Sequence, residues 1–138
     1  MFGFFRNKNR KEDEEKRRIE AEILAQKQEK AMKEAAKYIV GEHDFASFCS
    51  SGSQVESTVR TVYRLEVDKN DDVISIIISG NGFLYNMVRI IVGTLIKVGL
   101  GVYPPEYVKE IIEAKDRNAA GPKAPACGLM LVKIDYED

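Results

Sequence analysis

The longest apolar run in the chain begins where a strand pattern ends. Ser79 to Gly101, SGNGFLYNMVRIIVGTLIKVGLG, passes through two glycines into a stretch that is apolar on every face of a helix, broken only by Asn86, Arg89 and Lys97. A helix of that kind belongs in a protein core or a bilayer. The polar residues interrupt the roughly 20-residue span a bilayer requires, and neither aromatic belts nor basic loops flank it. The pattern therefore predicts a buried core helix over Tyr85 to Val98 that carries a guanidinium.

On either side the periodicity changes. Thr58 to Val67 alternates through Val59, Thr61, Tyr63, Leu65 and Val67, Lys69 to Asp72 is a polar turn, and Val73 to Ser79 follows as a second strand, which together predict a β-hairpin. Downstream, Pro104 and Pro105 suit the first turn of a helix over Glu106 to Ala114, and Gly128 to Tyr136 reads as a closing strand. Each element must bury its apolar side against another, so the order strand, strand, helix, helix, strand predicts an α+β fold: a short antiparallel sheet with helices packed on one face.

A long charged helix precedes this fold. Lys11 to Lys37 holds neither Gly nor Pro and places Glu12/Lys16, Asp13/Arg17 and Glu14/Arg18 at i,i+4 in the favourable orientation. Apolar residues are sparse before Ile19, which favours a solvated helix over a partner-binding coiled coil. Ala31, Ala35, Tyr38 and Ile39 are spaced to face a core, and Gly41 suits a helix stop. The chain thus divides into a charged helical extension, residues 1–30, and a domain, residues 31–138. The opening MFGFF with Arg6, Lys8, Arg10 and Lys11 has the chemistry of a membrane-surface contact, but five residues are too few for a signal-peptide core or a span.

Composition narrows the classes. With 44% hydrophobic residues in 138, one small core is expected. Residues 1–30 hold nine Lys and Arg against seven Asp and Glu, whereas residues 31–138 hold twelve against fifteen. That acidic balance is a poor footprint for an independent RNA binder, because phosphate neutralisation supplies most non-specific affinity. Cys49 and Cys127 lie far apart without a CxxC, and with His43 as the single histidine they make neither a zinc site nor a disulfide framework. Reduced thiols in a cytoplasmic protein are expected.

Four places carry candidate chemistry. Arg89 cannot lose its proton, so a buried guanidinium needs an anion against it: Glu42, Asp44 or Asp116 from within the domain, or a carboxylate or phosphate from outside. Gly80-Asn81-Gly82 before a helix has the look of a phosphate-binding turn but lacks the third glycine of a dinucleotide fingerprint and the Lys-Ser/Thr of a P-loop, so a tight turn is the simpler reading. His43, Asp44 and Cys49 sit too close in sequence for the convergent geometry of a nucleophilic triad, and Phe45 and Phe48 anchor their loop by burial. Gly121 to Gly128, GPKAPACG, is rigid at its prolines and small elsewhere, which permits close approach of a flat ligand.

Met32 to Phe48 (MKEAAKYIVGEHDFASF), Gly80 to Gly101 and Asp116 to Tyr136 (DRNAAGPKAPACGLMLVKIDY) resemble, in that order, the C-terminal domain of the tRNA pseudouridine synthase A family. The resemblance spans about residues 31 to 138. It implies an isomerase that needs no cofactor or metal, flips a uridine out of the tRNA anticodon stem-loop and rejoins the base to its ribose through carbon. It also implies that Arg89 pairs with a catalytic aspartate, that Phe83, Leu84 and Asn86 border the cleft, and that Pro125, Gly128 and Leu129 belong to the uridine pocket. The cleft surface is expected to expose Phe83, Leu84 and Leu129. Lys123 stands where the family usually has threonine.

The family's Arg-Thr-Asp-Ala-Gly-like segment, which carries the nucleophile, is not among these 138 residues. The expectation is a C-terminal synthase domain, truncated or recombined with a foreign helix and inactive alone, whose partners are tRNA, bound weakly, and the missing N-terminal half or a second copy of the chain. Two alternatives stay open: a non-catalytic RNA-binding or dimerisation module, and one half of a split enzyme.

Overall fold

One helix, α1 (Phe2–Ile39), opens the chain. The computed structural model describes residues 2–52, 54–71 and 73–135, with side chains from Arg10 onward. The side chains of the MFGFF segment lie outside those described. Along α1, Ile19, Ile23 and Leu24 are exposed, as a solvated helix requires, and then Met32, Ala35, Ala36 and Ile39 are buried at the i, i+3, i+4 spacing of a core-facing stripe. Tyr38 was expected to face inward and instead is 38% exposed. It lies about 100° around the wheel from Ile39, which takes it off the buried stripe. Gly41, with φ of 115°, turns the chain out of the helix into a conformation that an L side chain rarely adopts.

The sheet contains β1 (Gly41–Asp44), β2 (Val59–Asn70) and β3 (Val73–Gly80), antiparallel and in the order β1-β2-β3. β2 and β3 form the expected hairpin, paired from Asn70 with Val73 up to Val62 with Gly80. The inward positions differ from simple alternation, because the register shifts between Val62 and Arg64. An extra residue reverses the facing of everything beyond it. Val62 is buried before the irregularity and Leu65 and Val67 after it, while Tyr63 and Val59 are left on the surface.

Helices cover one face of this sheet. α2 (Met87–Gly99) packs beside α1 and buries Met87, Ile90, Ile91, Leu95 and Val98, while α3 (Tyr107–Ala114) adds Val108 and Ile111. Phe45 and Phe48 are both fully buried and meet edge to face at 6.0 Å, the anchoring expected of them. Ser47 between them is also buried: its hydroxyl donates to the Ile111 carbonyl at 2.6 Å and accepts from the Asp116 amide at 2.9 Å.

The closing strand expected over Gly128 to Tyr136 does not form among the described residues. A short 3-10 turn, Ala126–Gly128, is followed by chain with no strand partner, and Leu129, Met130, Leu131, Val132 and Ile134 are all exposed. Tyr136 lies outside the described residues. A strand is stabilised by its ladder and its apolar face together, and here neither is supplied. No described helix is long and apolar enough to cross a membrane.

Candidate functional site

Asn86 ends the approach to α2 in the left-handed region, φ 59° and ψ 12°, a conformation that asparagine tolerates far better than most residues. That kink sets the first turn of α2 and with it Arg89. The guanidinium is half buried and meets no carboxylate among the described residues. Its Nε–H donates to the Ala124 carbonyl at 2.7 Å and one Nη1–H donates to Oδ1 of Asn86 at 3.2 Å. Of the three internal anions expected as alternatives, Asp44 is taken by the Ala46 amide and the Thr58 hydroxyl, with Lys115 at 3.9 Å, and Asp116 caps the Asn118 amide. Glu42 is exposed and is not among the hydrogen-bond partners of Arg89.

The second wall is the Gly121–Gly128 loop, laid along α2. The Ala124 amide donates to the Arg89 carbonyl at 3.0 Å, so Arg89 and Ala124 exchange two hydrogen bonds. One helical turn on, the Thr94 hydroxyl donates to the Ile90 carbonyl at 2.8 Å and accepts from the Gly121 amide at 3.0 Å. Arg117 closes the loop's base by donating to the Gly121 carbonyl at 2.8 Å. This approach requires Gly93: a β-carbon there would stand 1.6 Å from the Pro122 carbonyl oxygen.

A third segment joins through Asn86. Its Nδ2 donates to the Ser50 hydroxyl at 3.1 Å, and the Ser50 amide donates to the Tyr85 carbonyl at 3.0 Å. Four segments therefore converge on the first turn of α2: the Cys49–Ser50 loop, the strand-to-helix junction, the helix itself and the Ala124 loop.

The expected site residues fall into three groups. Asn86, Arg89 and the loop that carries Pro125 are brought together. Phe83, Pro125, Gly128 and Leu129 are exposed, as is Lys123. Leu84 departs from the expected cleft surface: it is 5% exposed and belongs to the core, because the turn that points Phe83 and Tyr85 outward points Leu84 inward. Nothing in the local sequence signals Ser50 or Ala124, whereas Gly93 inside an apolar helix, costing about 1 kcal/mol in propensity, was a legible sign of close approach.

The Gly80-Asn81-Gly82 turn is tied to Thr61 of β2: the Asn81 amide donates to the Thr61 carbonyl and the Asn81 side-chain oxygen accepts from the Thr61 amide. Among the described residues, no three of His, Cys, Asp and Glu gather as a metal cage. The shortest charge pair among the described residues, Arg64 with Glu66 at 2.5 Å, lies on β2 and is exposed; the hydrogen bond from Arg64 holds the Glu66 carboxyl below its ordinary value.

Residues 35–137 match the family model described as tRNA pseudouridine synthase. The chain is 57% identical over 105 residues to the tRNA pseudouridine synthase A of Thermoanaerobacter sp. (strain X514), covering 76% of this chain and 43% of that protein. Against the protein of that description from Brevibacillus brevis it is 56% identical over 106 residues, 77% of this chain and 43% of the relative. Against that of Bacillus subtilis (strain 168) it is 50% identical over 107 residues, 78% and 43%. The chain thus spans less than half the length of the curated relatives it matches.

Proposed function

Because this chain belongs to the tRNA pseudouridine synthase family, we propose that it supplies one wall of a uridine-to-pseudouridine isomerase site that acts on tRNA in the cytoplasm. The other wall, with the nucleophilic aspartate, comes from a second segment that corresponds to the relatives' N-terminal half. One observation carries this reading: the Arg89 guanidinium is oriented by two neutral acceptors and meets no carboxylate among the described residues. An aspartate docked there stays ionised and aimed, since an adjacent cation favours the charged form. The exposed Phe83, Pro125, Gly128 and Leu129 then offer apolar surface and backbone to a uracil flipped from the anticodon stem-loop. The N-glycosidic bond breaks, the ring turns, and C5 bonds to the ribose carbon; the proton on C5 leaves to solvent and N1 takes one up, so the composition of the nucleoside is unchanged.

Two expected outcomes test this. The 138-residue chain alone releases no tritium from tRNA labelled at uridine C5 above the no-enzyme background. Mixed with the N-terminal half of the Bacillus subtilis relative, it releases tritium with each turnover. Turnover by the chain alone, or none with the added half, overturns the reading.

RNA affinity follows from charge. Residues 31–138 carry more acidic than basic side chains, so gel shifts at physiological salt should give a dissociation constant of roughly micromolar or weaker, the range of non-specific binding. A nanomolar complex of the isolated chain favours the reading as a self-sufficient RNA-binding module.

A further inference from the structure

We infer that Ser50 and Asn86 are positioning residues that lock the Arg89 guanidinium for capture of a carboxylate. The inference rests on the proposed pairing of Arg89 with an aspartate from a second segment, and it concerns residues that themselves touch no reacting atom.

Donor and acceptor chemistry fixes the direction of each link. Arginine only donates, with five N–H groups in a planar fork. Asn86 must therefore turn its carboxamide oxygen toward Arg89, which leaves its NH2 to face Ser50, and the Ser50 oxygen receives it. The order Ser50 to Asn86 to Arg89 reads in one sense only. Backbone geometry supports it at both ends: Asn86 is held in the left-handed region and Ser50 is tied to the Tyr85 carbonyl, so neither side chain depends on a mobile stem.

The consequence lies in which edge of the fork stays open. A carboxylate can be gripped side-on by Nε and Nη2, or end-on by Nη1 and Nη2. The Ala124 carbonyl occupies Nε and closes the side-on edge. Rotation about the Nε–Cζ bond, which exchanges the two Nη groups, leaves that bond intact, so Ala124 cannot prevent it. The contact from Nη1 to Asn86 is the one that does among the described residues. With it in place, one N–H on Nη1 and both on Nη2 remain unpartnered among those residues, and these are the donors left for a carboxylate.

Nitrogen-15 spectra of the arginine side chains of the full chain test this without requiring activity. Wild-type protein should show separate Nη1 and Nη2 signals for Arg89, assigned by comparison with Arg89→Lys. Asn86→Gly keeps the left-handed backbone and deletes the carboxamide, so the two signals should merge while the Nε–H signal and the backbone amide spectrum persist. Ser50→Ala should merge them partly. Asn86→Asp restores an acceptor and should keep them separate. Merged signals in the wild type, or signals that stay separate in Asn86→Gly, overturn the inference.

Activity supplies the second arm. With the Bacillus subtilis N-terminal half added, Asn86→Gly should lower kcat on the order of tenfold with KM for tRNA unchanged, the pattern of a misplaced group and not of lost binding. Asn86→Asp should be slow as well, although its signals stay separate, because the new carboxylate competes for the fork. A wild type that never turns over with the added half removes the functional premise, while the spectra still decide whether Asn86 and Ser50 lock the guanidinium. If KM rises instead of kcat falling, the positioning role is wrong.

Discussion

Gly93→Ala is expected to destabilise the chain by roughly 1–3 kcal/mol, against the usual rule that alanine improves a helix interior by about 1 kcal/mol. The new methyl would meet the Pro122 carbonyl oxygen at 1.6 Å and its carbon at 2.8 Å, both backbone atoms that no rotamer change moves. The loop must lift from α2, giving up the exchange between Arg89 and Ala124 and the bond from the Gly121 amide to Thr94. Gly99→Ala on the same helix is the control. Its nearest neighbour is the Met32 sulfur at 2.9 Å, the flexible part of a thioether side chain, so that substitution should be close to neutral or stabilising. Urea unfolding of the two variants measures the difference, and hydrogen exchange at the Ala124 amide tells global loss from local lifting. Equal stability of Gly93→Ala and wild type, with Ala124 still protected, would show that the loop does not rest on the helix.

The same contrast marks what the chain announces and what it conceals. α2 is legible as an apolar run too long for a strand, α3 from Pro104 and Pro105 at its start, and the hairpin from the alternation that precedes the polar Lys69–Asp72 stretch. Phe45 and Phe48 are legible as anchors because large aromatics beside a short strand have nowhere else to go. The irregularity at Val62/Arg64 is not, since one extra residue reverses a face while the composition stays β-like throughout.

Leu84 differs from its expectation for a related reason: a junction residue's direction is set by the turn that holds it and not by its own hydrophobicity, whereas Tyr38 simply falls off the buried stripe of α1. The segment from Leu129 to Ile134 is a short apolar run of strand-like composition, yet such a run says only that it needs cover. Pairing must be supplied from elsewhere in space. In the site, Arg89 was identifiable because an isolated charge in an apolar helix demands a partner. Its actual contacts, the Ala124 carbonyl and Asn86, were not, because backbone carbonyls leave no mark in a sequence and Ala124 is 35 residues away.

Arg89→Met should separate function from stability more sharply than any other substitution in the chain. Methionine keeps much of the aliphatic packing and removes the charge with both hydrogen bonds. A buried ion pair broken on one side costs about 3–5 kcal/mol. Arg89 has no such pair among the described residues: its acceptors are a backbone carbonyl and a carboxamide, and the residue is only partly buried. Hydrogen bonds to a charged group contribute about 1.5–3 kcal/mol when buried, and the relief of removing a partly desolvated charge offsets part of that. The expected loss in urea unfolding is therefore about 1–2 kcal/mol, with a cooperative transition retained.

Turnover should respond on another scale. In the assembly with an added N-terminal half, if Arg89 aims and ionises the aspartate as proposed, its loss should lower kcat on the order of a hundred- to a thousandfold, the usual consequence of deleting one preorganised electrostatic contact. Arg89→Lys keeps the charge but not the planar fork, so it should recover stability more than rate. A stability loss of 4 kcal/mol or more for Arg89→Met would make Arg89 a strut of the core. Unchanged turnover in the same variant would mean that the aspartate is held by something other than this guanidinium.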